Sequence, residues 1–147
     1  MDNELSINGQ KVRFDREATV AIYRDTIKAG ADLCTCIYCK NFAAQRNQVY
    51  PQEFLKLLNR LGADPNKELE AFDYGTSPET PKLRLYGGWF VFSGELAAAG
   101  AKRPEQPPFA YWFTTSFPAV RLSRDVNTCA VEFLAEVPWV LPGIPEW

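Results

Sequence analysis

The chain predicts an α+β domain, on three observations. Phe54, Leu57, Leu58 and Leu61 recur at i, i+3, i+4 and i+7, the stripe of an amphipathic helix. Its 10 Phe, 6 Tyr and 4 Trp lie mostly beyond position 70, and aromatic residues favour strands. Strand-like segments follow one another there without the strand–helix alternation of a parallel sheet. The expected architecture is an antiparallel sheet of about five strands with an αα-hairpin, about residues 37–61, packed on one side or end. With 147 residues, positions 1–147 make a single domain. Residues 138–147, rich in proline, are expected to be a C-terminal strap.

In chain order, residues 1–10 are polar and end at the turn signal Asn8-Gly9. Lys11–Phe14 alternates polar and apolar, a short strand. Thr19-Val20-Ala21-Ile22-Tyr23 is dense in β-branched and aromatic types and reads as a strand, with a helix starting at Asp15 as the alternative. Ala29–Asp32 breaks the pattern and delivers the chain to Cys34.

From Tyr38 the period turns helical. Cys39, Phe42, Ala43 and Arg46 share a face, and the helix should stop near Gln48, because Tyr50 precedes a proline. Pro51 suits the first turn of a second helix, which Gly62 closes as a C-cap. Leu69–Tyr74 reads as a strand with Leu69 and Ala71 on one face, and residues 75–81 as an exposed loop. Lys82–Leu96 is either a hairpin turning at Gly87-Gly88 or one long strand bulged there. Ala97–Pro108 is a loop. Phe109–Thr115, large on both faces, predicts a central strand. Residues 119–122 are a short strand or connector, and Thr128–Val137 is the last strand, with Cys129, Val131, Phe133 and Ala135 sharing a face.

Composition excludes several classes of function. The formal charge is −2 with a pI near 5.2 and no long basic run, which argues against nucleic acid as partner. No stretch of about 20 apolar residues crosses a membrane. The acidic N-terminus has neither the basic nor the apolar region of a signal peptide, so the expected location is cytoplasmic, where thiols stay reduced. There is no histidine. Ser-His-Asp and Cys-His catalysis and mixed Cys/His zinc sites are therefore excluded, and chemistry must run on thiols, carboxylates, Lys, Tyr or Ser.

Three of the four cysteines fall within six positions, Cys34, Cys36 and Cys39, in a C-x-C-x-x-C spacing. Residues i and i+2 of an extended segment point the same way. With a helix starting near 35–37, Cys36 sits at its lip and Cys39 in its first turn, so the three sulfurs can converge. A helix N-terminus favours thiolates, the form that binds metal and attacks disulfides, and Lys40 adds charge. Soft thiolates select Zn(II), Cu(I) or Fe–S, and Zn is the first candidate. A closed zinc site takes four ligands. Cys129 is the remaining thiol, but it reads as a small buried hydrophobe on an apolar strand face, leaving Asp32 or solvent as other fourth ligands. Two further readings stand beside the metal site: thiol-redox or sulfur-handling chemistry on the same cysteines, and cysteines that only pack, in a module that binds a protein partner.

The run Cys34-Thr35-Cys36-Ile37-Tyr38-Cys39-Lys40-Asn41-Phe42 is followed by Tyr50-Pro51, Phe54-Leu55, Leu61-Gly62-Ala63-Asp64-Pro65, Tyr86-Gly87-Gly88-Trp89 and Glu136-Val137-Pro138-Trp139. In the order of these motifs the chain resembles a family of small bacterial proteins of unknown function. The resemblance implies that Cys34, Cys36 and Cys39 belong to the pattern and Cys129 does not. It implies no activity, substrate or cofactor.

Other constellations read as structure first. Tyr86-Gly87-Gly88-Trp89 is a bulge or turn before it is a ligand loop. Tyr111-Trp112-Phe113 with Trp89 and Phe92 is an aromatic core before it is a stacking platform. Glu68, Glu70, Asp73 and Glu79 read as a solvated face.

Overall fold

The computed structural model describes residues 3–98, 100, 108–117 and 127–143. The connector expected at 119–122, most of the 97–108 loop and the last four residues of the strap lie outside these. The elements run β1 (Asn3–Ile7), β2 (Gln10–Phe14), α1 (Arg16–Asp25), the single turn α2 (Gly30–Leu33), α3 (Ile37–Val49), α4 (Gln52–Leu61), β3 (Glu70–Thr76), β4 (Arg84–Ala98), β5 (Phe109–Thr114) and β6 (Thr128–Val137). The fold is α+β, as expected, with six antiparallel strands instead of about five. The added strand is β1, which pairs with β2 across a two-residue turn. Asn8 and Gly9 both take positive φ there (51° and 81°), the hairpin geometry matched to strand twist.

Strand β4 organises the sheet, whose order is β1-β2-β4-β6-β5. Its first half pairs with β3 and its last residues with β2, while β6 runs along Arg84–Ser93. Gly87 and Gly88 form neither a turn nor a bulge against β6: the register is continuous through them. They are small because neighbours press on the strand. A Cβ on Gly88 would stand 2.4 Å from the Glu70 carbonyl oxygen and 2.9 Å from the Phe133 ring, and one on Gly87 2.6 Å from the Tyr74 ring.

Tyr86, Phe90 and Phe92 of β4 share the inner face with Cys129, Val131 and Phe133 of β6, all buried. The αα-hairpin covers this face. Phe54, Leu57, Leu58 and Leu61 of α4 are buried, and Gly62 caps the helix in the left-handed region (φ 90°). Phe54 lies among Phe90, Phe109, Tyr111 and Phe133 with ring centroids 4.9–6.0 Å apart.

Two assignments change. Thr19–Tyr23 is helical, the alternative reading. The Asp15 side chain caps α1 by accepting from Ala18 N, and only the helical period turns Thr19, Ile22 and Tyr23 together onto the sheet. There the Thr19 hydroxyl accepts from Ser93 N at 3.0 Å, and the Tyr23 hydroxyl donates to Val91 O at 2.7 Å. Strand β5 lies at an edge and is not central. Its large groups on both faces are explained otherwise: Phe109 and Tyr111 pack on Phe54, while Trp112 donates its indole N–H to Glu132 on the opposite face. The outer edge of β5 meets Gln10 of β2, whose buried side-chain amide both donates to Phe113 O and accepts from Phe113 N, each at 2.8 Å. No helix among the described residues is long and apolar enough to cross a membrane.

Candidate metal centre

The chain approaches the cysteines through α2. Gly30 N donates to Glu68 O at 2.8 Å, and a Cβ on Gly30 would stand 2.4 Å from Leu69 O, so α2 lies flush on the start of β3. Cys34 ends α2 with extended backbone, and Cys36, also extended, is the N-cap of α3. The Cys36 sulfur accepts from Cys39 N at 3.4 Å, the bond a serine or aspartate makes at a helix start. The Cys34 thiol donates to Cys36 Sγ at 3.3 Å. All three Sγ atoms lie within 4.8 Å of one another. Cys34 and Cys36 are exposed, while Cys39 is half-buried and packs against the core. The convergence expected from the spacing is therefore present.

Electrostatics separates Cys34 from Cys39. Hydrogen bonds to Cys34 from Cys36 N, and then with the Cys36 and Cys39 side chains, favour its thiolate and lower it below its ordinary value. Cys39 departs from the lowering expected at a helix start: burial pushes it well up, and the two neighbouring sulfurs add to this.

The flanks are held by groups that carry no metal chemistry. On the α2 side, Arg46 Nε donates to Glu68 Oε1 at 2.6 Å and Arg46 Nη2 to Asp32 Oδ1 at 3.1 Å. Glu68 also accepts from Ala31 N at 3.2 Å. Glu68 is 0% exposed and Arg46 9%. Glu68 is thus no part of a solvated acidic face. Burial raises its carboxyl above the ordinary range against the pull of Arg46. Burial also works against the Arg46 charge, yet the two carboxylates outweigh it and hold Arg46 above its ordinary value. Asp73, read from the same acidic group, is likewise paired, in a bidentate fork with Arg84 at 3.0 and 2.7 Å.

On the α3 side, the Tyr86 hydroxyl donates to Tyr38 O at 2.7 Å. Asn41 and Gln45 both donate to Pro138 O, at 3.0 and 2.7 Å, and Asn41 Oδ1 accepts from Val140 N at 2.8 Å. Pro138 and Val140 are thereby fastened to the helix that carries Cys39. The Tyr38 ring lies between the Arg84 guanidinium, 4.8 Å away, and the Trp139 ring, 5.8 Å away. The separate motifs Cys-x-Asn-Phe, Tyr-Gly-Gly-Trp and Val-Pro-Trp therefore meet at one place.

The fourth-ligand candidates fare differently. Cys129 is 0% exposed, its thiol pushed up to about 11 by burial. It pairs with Phe92, six residues along β4 from Tyr86, or about 20 Å at a rise of about 3.4 Å per residue. It is the small hydrophobe the sequence suggested. Asp32 is engaged by Arg46. Among the described residues, the group of converging donors is Cys34, Cys36 and Cys39 alone.

Sequence reasoning placed Arg46 on one face of α3 with Cys39, Phe42 and Ala43 but missed its partner Glu68, and missed Asn41 and Tyr86 as fasteners. The available signal was Arg46 itself: a cation in phase with Phe42 must find a buried carboxylate. No family model, curated protein or solved structure matches the chain.

Proposed function

We propose that Cys34, Cys36 and Cys39 bind one soft metal ion, with Zn(II) the first candidate, in a small domain with a binding or structural role. The observation that carries this is the approach of all three sulfurs to within 4.8 Å. Two thiolates on one tetrahedral zinc stand about 3.8 Å apart, given a Zn–S length of about 2.3 Å, so a single ion spans this set. A [4Fe–4S] cluster places each thiolate on a different iron and needs wider spacing, and a [2Fe–2S] cluster takes four ligands where three sulfurs converge. With three protein ligands the fourth position belongs to solvent or a bound group, the pattern of open zinc sites. The test is elemental analysis of protein purified without added metal, followed by zinc titration. One ion per chain is expected. Cys36→Ser should weaken binding by more than the roughly 10–100-fold that loss of an outer-shell partner costs. Sub-stoichiometric metal, unchanged by that substitution, would sink the reading.

One observation favours a second reading, thiol exchange at Cys34. The exposed Cys34 thiol is lowered by its hydrogen bonds within the cluster, and half-buried Cys39 stands within 4.8 Å as the partner that closes a disulfide. It predicts that iodoacetamide at slightly acidic pH modifies Cys34 ahead of the other thiols. Uniformly slow labelling counts against it.

A further inference from the structure

We propose that the site's preferred occupant is a trivalent soft ion carrying a lone pair, which takes three sulfur ligands and no fourth; arsenic(III) is the accessible representative. This rests on the reading of the cluster as a soft-ion site and concerns which ion it selects.

The donor count is the first argument. Three sulfurs converge, and no fourth Cys, Asp or Glu among the described residues joins them. A four-coordinate ion is left incomplete, whereas a pyramidal ion is complete, its lone pair directed away from the sulfurs. Exposure is the second. Cys34 and Cys36 are exposed, so the side opposite the sulfurs opens to water, where a lone pair needs no partner. Spacing is the third. A pyramid around a lone pair closes its sulfur–ion–sulfur angles below the tetrahedral value. For one pair, Cys34 and Cys36, the 3.3 Å hydrogen-bonded separation is already shorter than the about 3.8 Å of two thiolates on tetrahedral zinc, within a set that lies inside 4.8 Å. Charge is the fourth. Three thiolates around a divalent ion keep a net negative charge, in a chain of formal charge −2. The same thiolates around a trivalent ion are neutral.

The binding step balances without an oxidant. Arsenous acid carries three As–O bonds. Each thiol sulfur forms an As–S bond as one As–O bond breaks, and its proton leaves with the departing hydroxide as water. Three thiols release three waters, and arsenic and sulfur keep their oxidation states. Cys129, fully buried and bonded to Thr114 O, takes no part.

The test titrates the reduced full-length chain, loaded with one zinc, with sodium arsenite. Near-ultraviolet sulfur-to-arsenic absorption, released zinc and intact mass are read together. The expected result is displacement of zinc at one arsenic per chain, with a mass gain of one arsenic less three protons. Cys34→Ser, Cys36→Ser and Cys39→Ser should each weaken arsenite binding by more than about 100-fold, the upper end of what an outer-shell loss costs a metal site. Cys129→Ser should leave it unchanged. Zinc bound one to one and not displaced by arsenite overturns this proposal and leaves the metal-site reading standing. Arsenite held equally well by a single-serine variant overturns the three-ligand assignment. Failure of both ions to bind overturns both readings.

Discussion

Replacing Arg46 with methionine is expected to cost about 3–5 kcal/mol at pH 7, the usual result of removing one partner from a buried ion pair. For a domain of this size that is a fall in Tm of roughly 10 °C. The cause is the carboxylate left behind. Glu68 is fully buried and takes 2.6 Å and 3.3 Å bonds from Arg46, so the substitution leaves only Ala31 N to serve it. The loss should depend on pH with a definite sign. Burial already raises the folded-state pKa of Glu68 above its ordinary 4.5, and loss of Arg46 raises it further. A carboxyl raised on folding contributes stability below its unfolded pKa and loses it as pH rises through the folded value. The variant should therefore lie nearest the parent at about pH 4–5 and fall behind it toward neutrality. Adding Glu68→Gln removes the stranded charge and keeps an acceptor for Ala31 N, so the double variant should recover much of the loss and flatten the profile. Urea denaturation of the three proteins between pH 4.5 and 7.5 checks this. A pH-independent deficit in the single variant would show that lost packing, not a buried charge, is responsible.

Phe54→Ala should be as costly by an unrelated route. The Phe54 ring is 0% exposed and lies within 4.9–6.0 Å of Tyr50, Phe90, Phe109, Tyr111 and Phe133. Phe-to-Ala in such a core costs about 3–5 kcal/mol from lost burial and the remaining cavity. Aromatic pairing adds about 0.5–1.5 kcal/mol per favourable pair. Thermal unfolding should show the loss, and Phe54→Leu should restore most of it. Below the lowered Tm, zinc and arsenite binding should match the parent, because the rings paired with Phe54, those of Tyr50, Phe90, Phe109, Tyr111 and Phe133, are not among the residues that fasten the cysteine segment. Arg46→Met is the contrasting case, since Asp32 and Ala31 stand two and three residues before Cys34.

The two substitutions also mark what the residues disclose in order and what they do not. The stripe from Phe54 to Leu61 and the alternation from Cys129 to Ala135 are one-dimensional signals, each a period that packing then uses unchanged. The cysteine convergence was legible for the same reason, because an extended segment running into a helix fixes its geometry locally. Helix α1 was not. Val20 and Ile22 suit a strand, and the choice of helix rests on Asp15 as a cap and on the meeting of Thr19 and Tyr23 with Ser93 and Val91, contacts about 70 residues away in sequence. Glu68 failed similarly: an acid among acids looks solvated until α3 brings Arg46 to it. The edge position of β5 was hidden because aromatic groups on both faces signal two covered faces, and say nothing of whether both edges are paired.

The outer edge of β5, beside which no further strand lies among the described residues, has a consequence for behaviour in concentrated solution. An open strand edge is a template on which a second polypeptide adds by backbone pairing, and proteins guard such edges with charge, proline or a covering segment. Among the described residues the guard is Gln10. The amide of Gln10 presents one donor and one acceptor, as a peptide group does, and holds both backbone groups of Phe113. A neighbouring molecule that would extend the sheet past β5 must displace this tethered imitation of a strand, which is always at hand while the intruder must arrive by diffusion. At Phe113 this edge thus resists growth by self-templating at the cost of one polar side chain.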